Sequence, residues 1–134
     1  MRDYLADLII RIKNGQRAGL PEVVMHPYLP KRYLKILRLL YQEGYIRGYV
    51  VHSDKITGKL IIKVLLKYGV RGEPIIEEIF QISKPGRRVY TSIKALWQPK
   101  GSRGVIILAT TKGFISDRDA RFLNLGGEVL LGIY

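Results

Sequence analysis

Thr110, Thr111, Lys112 and Gly113 follow directly on the apolar run Val105–Leu108 and Ala109. Two hydroxyls that both donate and accept, one ammonium and one glycine make a set suited to a phosphate, a nucleotide or an RNA edge. The same four residues also fit an ordinary loop between a strand and a helix. Upstream, "SKPGRRVY" (Ser83–Tyr90) offers a second set. Pro85 and Gly86 suit the central positions of a type II turn, with Lys84, Arg87 and Arg88 around them. Tyr90 and Trp97 offer ring faces on which bases could stack, although Tyr90 suits a core position equally well.

The charge distribution bears on both sets. The 134 residues carry 23 Lys plus Arg against 11 Asp plus Glu, a net charge of +12. A compact chain with that surplus repels itself, and a polyanion is the natural compensation, nucleic acid before an anionic membrane. Residues 1–72 hold 14 basic against 5 acidic residues, and residues 73–134 hold 9 against 6. Yet no acid falls between Glu78 and Asp117, where Lys84, Arg87, Arg88, Lys94, Lys100, Arg103 and Lys112 all lie. A second acid-free window, Val23 to Gln42, contains Lys31, Arg32, Lys35 and Arg38. One such window reads as a solvated face; two beside approachable loops favour nucleic acid.

Other chemistries lack their parts. There is no cysteine, hence no disulfide, thiol nucleophile or Cys-based zinc site. Gly58-Lys59 lacks the rest of a Walker A loop, and no G-x-G-x-x-G occurs. His26 and His52 stand alone, each at a strand end. Glu77 and Glu78 are adjacent, so on a strand they point to opposite faces. Ser83, Ser92, Ser102 and Ser116 lack a nucleophile-elbow context. No enzyme, cofactor, metal or small-molecule substrate is expected. The apolar runs are far shorter than the roughly 20 residues of a membrane span. "MRDYLADLIIRIKNGQR" lacks a signal-peptide core, and Asp3 and Asp7 argue against an acid-poor presequence.

The elements that must position these residues are legible in outline. Leu5, Leu8, Ile9 and Ile12 mark one helix face, capped by Asp3, supported by the Asp7–Arg11 spacing and ended by Asn14-Gly15. A short strand is expected at Val23–Met25. A helix should start at Pro30 and end at Gly44, with Leu34, Leu37, Leu40 and Tyr41 inward and Lys31, Arg32, Lys35 and Arg38 outward. Tyr45–His52 and Lys59–Lys67 read as a hairpin through "SDKITG". Residues 69–74 read as a linker dividing an N-terminal half, 1–68, from a C-terminal half, 75–134. Beyond it, Ile75–Ser83 and Arg88–Thr91 read as strands and Val105–Thr110 as a central strand. Ser116 and Asp119 open a short helix that Gly126-Gly127 ends, and Glu128–Ile133 is a last strand. The fold class is α+β: a helix-strand-helix-hairpin half, then a mainly β half with a short capped helix.

These blocks resemble the small-subunit ribosomal protein S-eight family. "SKPGRRVY" is similar to its Ser-Arg-Pro-Gly-x-Arg-x-Tyr block, and "ATTKGFISDRDARFLNLGGEV" (Ala109–Val129) to its Ser-Thr-Ser-Lys-Gly loop, Thr-Asp-Arg-x-Ala-Arg helix and Gly-Gly-Glu turn. "DYLADLIIRIKNG" (Asp3–Gly15) resembles its first helix, and "EGYI" and "LKY" fall where the family has them. The resemblance spans the chain in order. It implies a primary binder of the central domain of small-subunit ribosomal RNA, acting in assembly and in the mature particle, beside neighbouring small-subunit proteins. By the same resemblance, Thr110, Thr111, Lys112 and Gly113 meet unpaired bases and backbone in an RNA minor groove. Ser83, Lys84, Pro85, Gly86, Arg87 and Tyr90 form a second contact, Gly126, Gly127 and Glu128 border the first, and Lys13, Asn14 and Lys31 reach other phosphates.

The chain also departs from the family pattern. Ala109 replaces a hydroxyl, Lys84 replaces an arginine and its bidentate geometry, Ile10 stands where threonine is common, and "HPYLPKRY" diverges. With nine tyrosines and no cysteine, the expected source is an organelle-encoded, mitochondrial copy, with a bacterium or plastid as alternatives. Two other functions compete: a general RNA-binding or annealing module outside the ribosome, and a peripheral membrane protein lying on its basic second helix. The latter conflicts with that helix's need to bury its apolar face.

Overall fold

The computed structural model describes residues 3–92 and 104–134. Lys94, Trp97, Lys100, Ser102 and Arg103, considered above, lie outside them. The chain forms two compact units, Met1–Ile75 and Ile76–Tyr134, and the class is α+β.

In the first unit, α1 (Tyr4–Arg17) starts where the Asp3 carboxylate accepts from the Ala6 N–H at 3.1 Å, satisfying an orphan first-turn donor. Arg11 Nε donates to Asp7 Oδ2 at 2.7 Å across one turn. Leu5, Leu8, Ile9 and Ile12 are buried along one face, as their spacing requires. Asn14-Gly15 does not end the helix. It runs on to Arg17, and Gly19 at φ +70° takes the left-handed position beyond it. Gly15 is needed for a different reason: it is buried, and a Cβ there would meet the Val23 side chain.

The three-stranded antiparallel sheet has the order β1 (Glu22–Val24), β3 (Leu60–Leu65), β2 (Gly48–Ser53). In β3, Ile62 and Val64 are buried, with Leu66 just beyond continuing their alternation. The β2–β3 connection closes on Asp54, whose carboxylate accepts from the Ile56 N–H at 2.9 Å. That bond, with the Thr57 hydroxyl, lowers the carboxyl's pKa below its ordinary value.

The second helix starts later than Pro30. A 3-10 turn, Lys31–Tyr33, comes first, and α2 spans Leu34–Gln42. Its buried residues are Ile36, Leu37, Leu39 and Leu40, while Tyr41 is 53% exposed. The inward face is therefore rotated from the Leu34/Leu37/Leu40/Tyr41 stripe. Lys31, Arg32, Lys35 and Arg38 are all exposed. The segment after β3 turns back on itself, with Gly69 N–H donating to Glu73 O at 2.7 Å and a bridge between Tyr68 and Pro74.

In the second unit the described residues form a five-stranded antiparallel sheet and one short helix. Its path is β4 (Ile79–Gln81), β8 (Gly127–Ile133), β6 (Val105–Thr110), β7 (Gly113–Ser116), with β5 (Tyr90–Thr91) also pairing with β8. Strands β4 and β5 are shorter than the expected Ile75–Ser83 and Arg88–Thr91. The short helix α3 (Asp117–Leu123) packs Ala120 into a cluster of Ile106, Leu108, Ile115 and Val129. Ser116 caps it by accepting from the Asp119 N–H at 3.2 Å. The stop is Asn124 in the left-handed region, φ +58°, rather than Gly126-Gly127.

Candidate nucleic-acid interface

The strand β7 changes the reading of residues 110–113. They do not lead from a strand into a helix; they are the tip of a tight hairpin in which Thr110 pairs with Gly113. Thr111 and Lys112 form the turn, and Gly113 closes it at φ +90°, a glycine position of the kind that bulged hairpins use. The Thr110 hydroxyl works inside the turn. It accepts from the Lys112 N–H at 3.1 Å and donates to the Gly113 carbonyl at 3.0 Å. Thr111 and Lys112 are exposed, and their side chains have no hydrogen-bond partner among the described residues. One hydroxyl thus builds the tip while its neighbour and the ammonium face outward.

Register brings the other segments beside it. Ala109 pairs with Glu128 and with Phe114, and Glu128 pairs with Tyr90. Directly paired residues share a sheet face, so Tyr90, Glu128, Ala109 and Phe114 form one row across four strands. The next row holds Thr91 opposite Gly127 and Thr110 opposite Gly113. Gly127 is packed so closely that a Cβ would strike the Ala109 carbonyl. Tyr90 is 71% exposed, so its ring stands outward rather than in the core.

The turn before β5 is held from within. Ser83 is buried; its Oγ accepts from the Val89 N–H at 2.9 Å and lies 3.3 Å from the Val89 carbonyl, to which it donates. Lys84 and Arg87 exchange backbone hydrogen bonds at 3.0 and 2.9 Å around Pro85 and Gly86. Gly86 is not at positive φ, so the turn is not type II. Lys84, Pro85, Gly86 and Arg87 are exposed. Arg88 Nη1 donates to Glu128 Oε2 at 3.1 Å and offsets the one carboxylate in the row. Reading the sequence placed Arg88 in a basic stretch without giving it this role. Its two-residue offset from Tyr90 puts both on one strand face, which was the available signal. Gly126 is exposed beside the row.

Lys13, Asn14 and Lys31 belong to the first unit. Lys13 and Asn14 lie in the last two turns of α1, and Lys31 opens the 3-10 turn. Among the described residues, no group of three His, Asp or Glu side chains is placed to hold a metal ion. No helix among them is long and apolar enough to cross a membrane.

By fold and by this sheet end, the molecule is a basic α+β protein that presents cations, hydroxyls and an aromatic ring on a hairpin-edged row. A family model described as "Ribosomal protein S8" matches residues 3–134. The chain is 42% identical over 134 residues to "Small ribosomal subunit protein uS8" of Rhodospirillum centenum, covering 100% of this chain and 98% of the relative. Proteins of the same name from Gluconacetobacter diazotrophicus and Orientia tsutsugamushi (strain Ikeda) are 43% and 41% identical, with the same coverage. The chain belongs to the ribosomal protein S8 family and is a protein of the small ribosomal subunit, a family that is not enzymatic. These relatives are bacterial, and the expectation of a mitochondrial source draws no support from them.

Proposed function

We propose that the protein is a primary binder of small-subunit ribosomal RNA in its central domain, which it steadies during assembly and in the mature particle beside neighbouring proteins. The RNA-contacting half is 75–134, joined through 69–74 to the half 1–68. One observation carries the reading most strongly: pairing gathers the 110–113 tip, Gly127–Glu128 and Tyr90 from three separate sequence segments onto one sheet end.

An A-form major groove is too deep and narrow to read, so recognition goes through the minor groove, irregular bases, 2′-hydroxyls and phosphates. Thr111 supplies a hydroxyl that can donate and accept there. Lys112, Lys84 and Arg87 supply charge-assisted bonds to phosphate. Tyr90 supplies a stacking face. Ser83, Thr110 and Gly126-Gly127 act indirectly by fixing the two turns and the row between them. Lys13, Asn14 and Lys31 reach further phosphates from the first half.

The test is a titration of the protein against a central-domain fragment of its own small-subunit ribosomal RNA, beside a perfectly paired duplex of equal length, at two salt concentrations. Binding to the fragment should survive the higher salt while duplex binding is lost. Equal affinity for both, collapsing together as salt rises, would reduce the protein to a basic surface. Two variants separate the roles at the tip. Lys112→Ala should shallow the dependence of log K on log salt by about 0.7 to 0.9 for the lost phosphate contact. Thr111→Ala should cost ~1 kcal/mol with little change of slope, as for a neutral hydrogen bond. Parent-like binding by both would remove the tip from the interface.

A further inference from the structure

The first unit carries a groove that none of the residues above explains. It has a volume of about 410 Å³ and lies between the end of α2 and the start of β2. Its charged and aromatic lining comes as two pairs, Arg38 with Tyr41 and Arg47 with Tyr49. The spacings account for the pairing. Three residues apart on a helix, and two apart along a strand, both side chains share a face. Arg47 stands just before β2, but its N–H already donates to Leu65 O at 2.9 Å, so it continues the ladder.

Gln42, Gly48 and Leu65 complete the lining, which contains no carboxylate. Among the described residues, the Arg47 guanidinium donates to the Leu66 and Pro21 carbonyls, by long contacts of 3.4 and 3.5 Å. Tyr41 leaves over half its surface in water at the end of a helix whose neighbouring residues Leu39 and Leu40 are buried. The volume falls within the roughly 300–1,000 Å³ of small-ligand clefts.

We propose that this groove is a second RNA site, which takes one unpaired nucleotide with its phosphate at Arg38 and Arg47 and its base against Tyr41 and Tyr49. The inference rests on the reading of the protein as an RNA binder, but on different residues in the other unit. An acidic peptide would satisfy the two arginines and leave the ring faces unused. A nucleotide uses both, since every base has a face to stack and every link a charge to neutralise.

The experiment is an NMR titration of the isotope-labelled full chain with a uridine hexanucleotide, uridine monophosphate and hexaglutamate. With the hexanucleotide, the Tyr41 and Tyr49 ring signals should move upfield together with the Arg38 and Arg47 Nε signals. Tyr41→Ala should weaken hexanucleotide binding by about five- to 150-fold, the range for one lost stack. Lys112→Ala should leave the groove shifts in place. Unmoved rings, or equal shifts from hexaglutamate, would overturn the proposal. Uridine monophosphate binding as tightly as the hexanucleotide would assign the groove to free nucleotide and overturn its RNA source. If the rings stay still while Lys112→Ala still weakens the ribosomal fragment, the groove alone falls. If the fragment shows no preference over duplex either, the reading of the protein as a specific binder of ribosomal RNA falls with it.

Discussion

Replacing Gly127 with alanine is expected to lower the urea midpoint of the second unit by about 1 M and to take RNA affinity down with it. Gly127 lies at the start of β8, where a Cβ would run into the Ala109 carbonyl and press on the Thr110 methyl. The obstacle is chiefly backbone, which no rotamer change can clear. Either β8 withdraws from β6 or the base of the 110–113 hairpin tilts. Overpacking of this kind costs about 1–3 kcal/mol, and m-values of about 1–3 kcal/mol per M in urea convert that to the stated shift. Gly86→Ala is the control, because a Cβ there meets nothing within 4 Å and φ is not positive. Its midpoint should stay with the parent's. Lys112→Ala should lose affinity at an unchanged midpoint, separating damage to the row from loss of a contact. A parent-like midpoint for Gly127→Ala would mean that the strands do not approach as described.

Local signals in the sequence were reliable where one side chain decides one hydrogen bond. Asp3 and Ser116 cap helices because a short oxygen acceptor before an apolar repeat has few better uses. They failed where packing decides. Around α2, apolar residues stand at 34, 36, 37, 39, 40 and 41, so more than one inward stripe is available. The 3-10 turn ahead of the helix goes with the phase that buries Ile36 and Leu39 and turns Tyr41 out. Gly15 reads as a helix stop by propensity, yet its role is to let α1 lie against Val23. Asn124 takes the left-handed stop because it reaches that region first, three residues before Gly127.

The candidate site was legible as composition and invisible as geometry. Thr110 and Thr111 are the same residue side by side, and nothing local says that one hydroxyl folds into the turn while the other faces out. That division follows from β7, a four-residue strand with too few positions to show alternation. Likewise Tyr90 suited a core or a stacking role equally until its pairing with Glu128 put it on the outward row. The groove at Arg38, Tyr41, Arg47 and Tyr49 needed the α2 phase to be known, so it could not be seen before the fold.

Asp117→Ala is expected to destabilise the second unit by about 2–4 kcal/mol, and the reason lies in how β7 ends. Strand β7 pairs with β6 only as far as Ser116 opposite Ile107 and then becomes α3. The Ile106 N–H therefore points toward a strand that is no longer there. Asp117 supplies the missing acceptor, its Oδ1 lying 3.2 Å from that nitrogen, while Oδ2 accepts from Arg121 Nη1 at 3.1 Å. Ile106 is fully buried and Asp117 is 3% exposed, so no solvent would replace the lost bond. An unsatisfied buried donor costs about 1–3 kcal/mol, and stripping the partner from Arg121 adds less than a fully buried pair would because Arg121 is partly solvated. Asp117→Asn keeps an acceptor for Ile106 and should cost less. Arg121→Ala should cost least, about 1 kcal/mol or below. Chemical denaturation of the three variants gives the order, and amide exchange at Ile106 should quicken most in Asp117→Ala. An Arg121→Ala loss equal to that of Asp117→Ala would mean that the ion pair, and not the substituted ladder bond, holds the end of β7. The hairpin depends on this anchor: among the described residues β7 pairs with β6 alone, and it passes directly into α3, so loosening its far end frees the tip that carries Thr111 and Lys112.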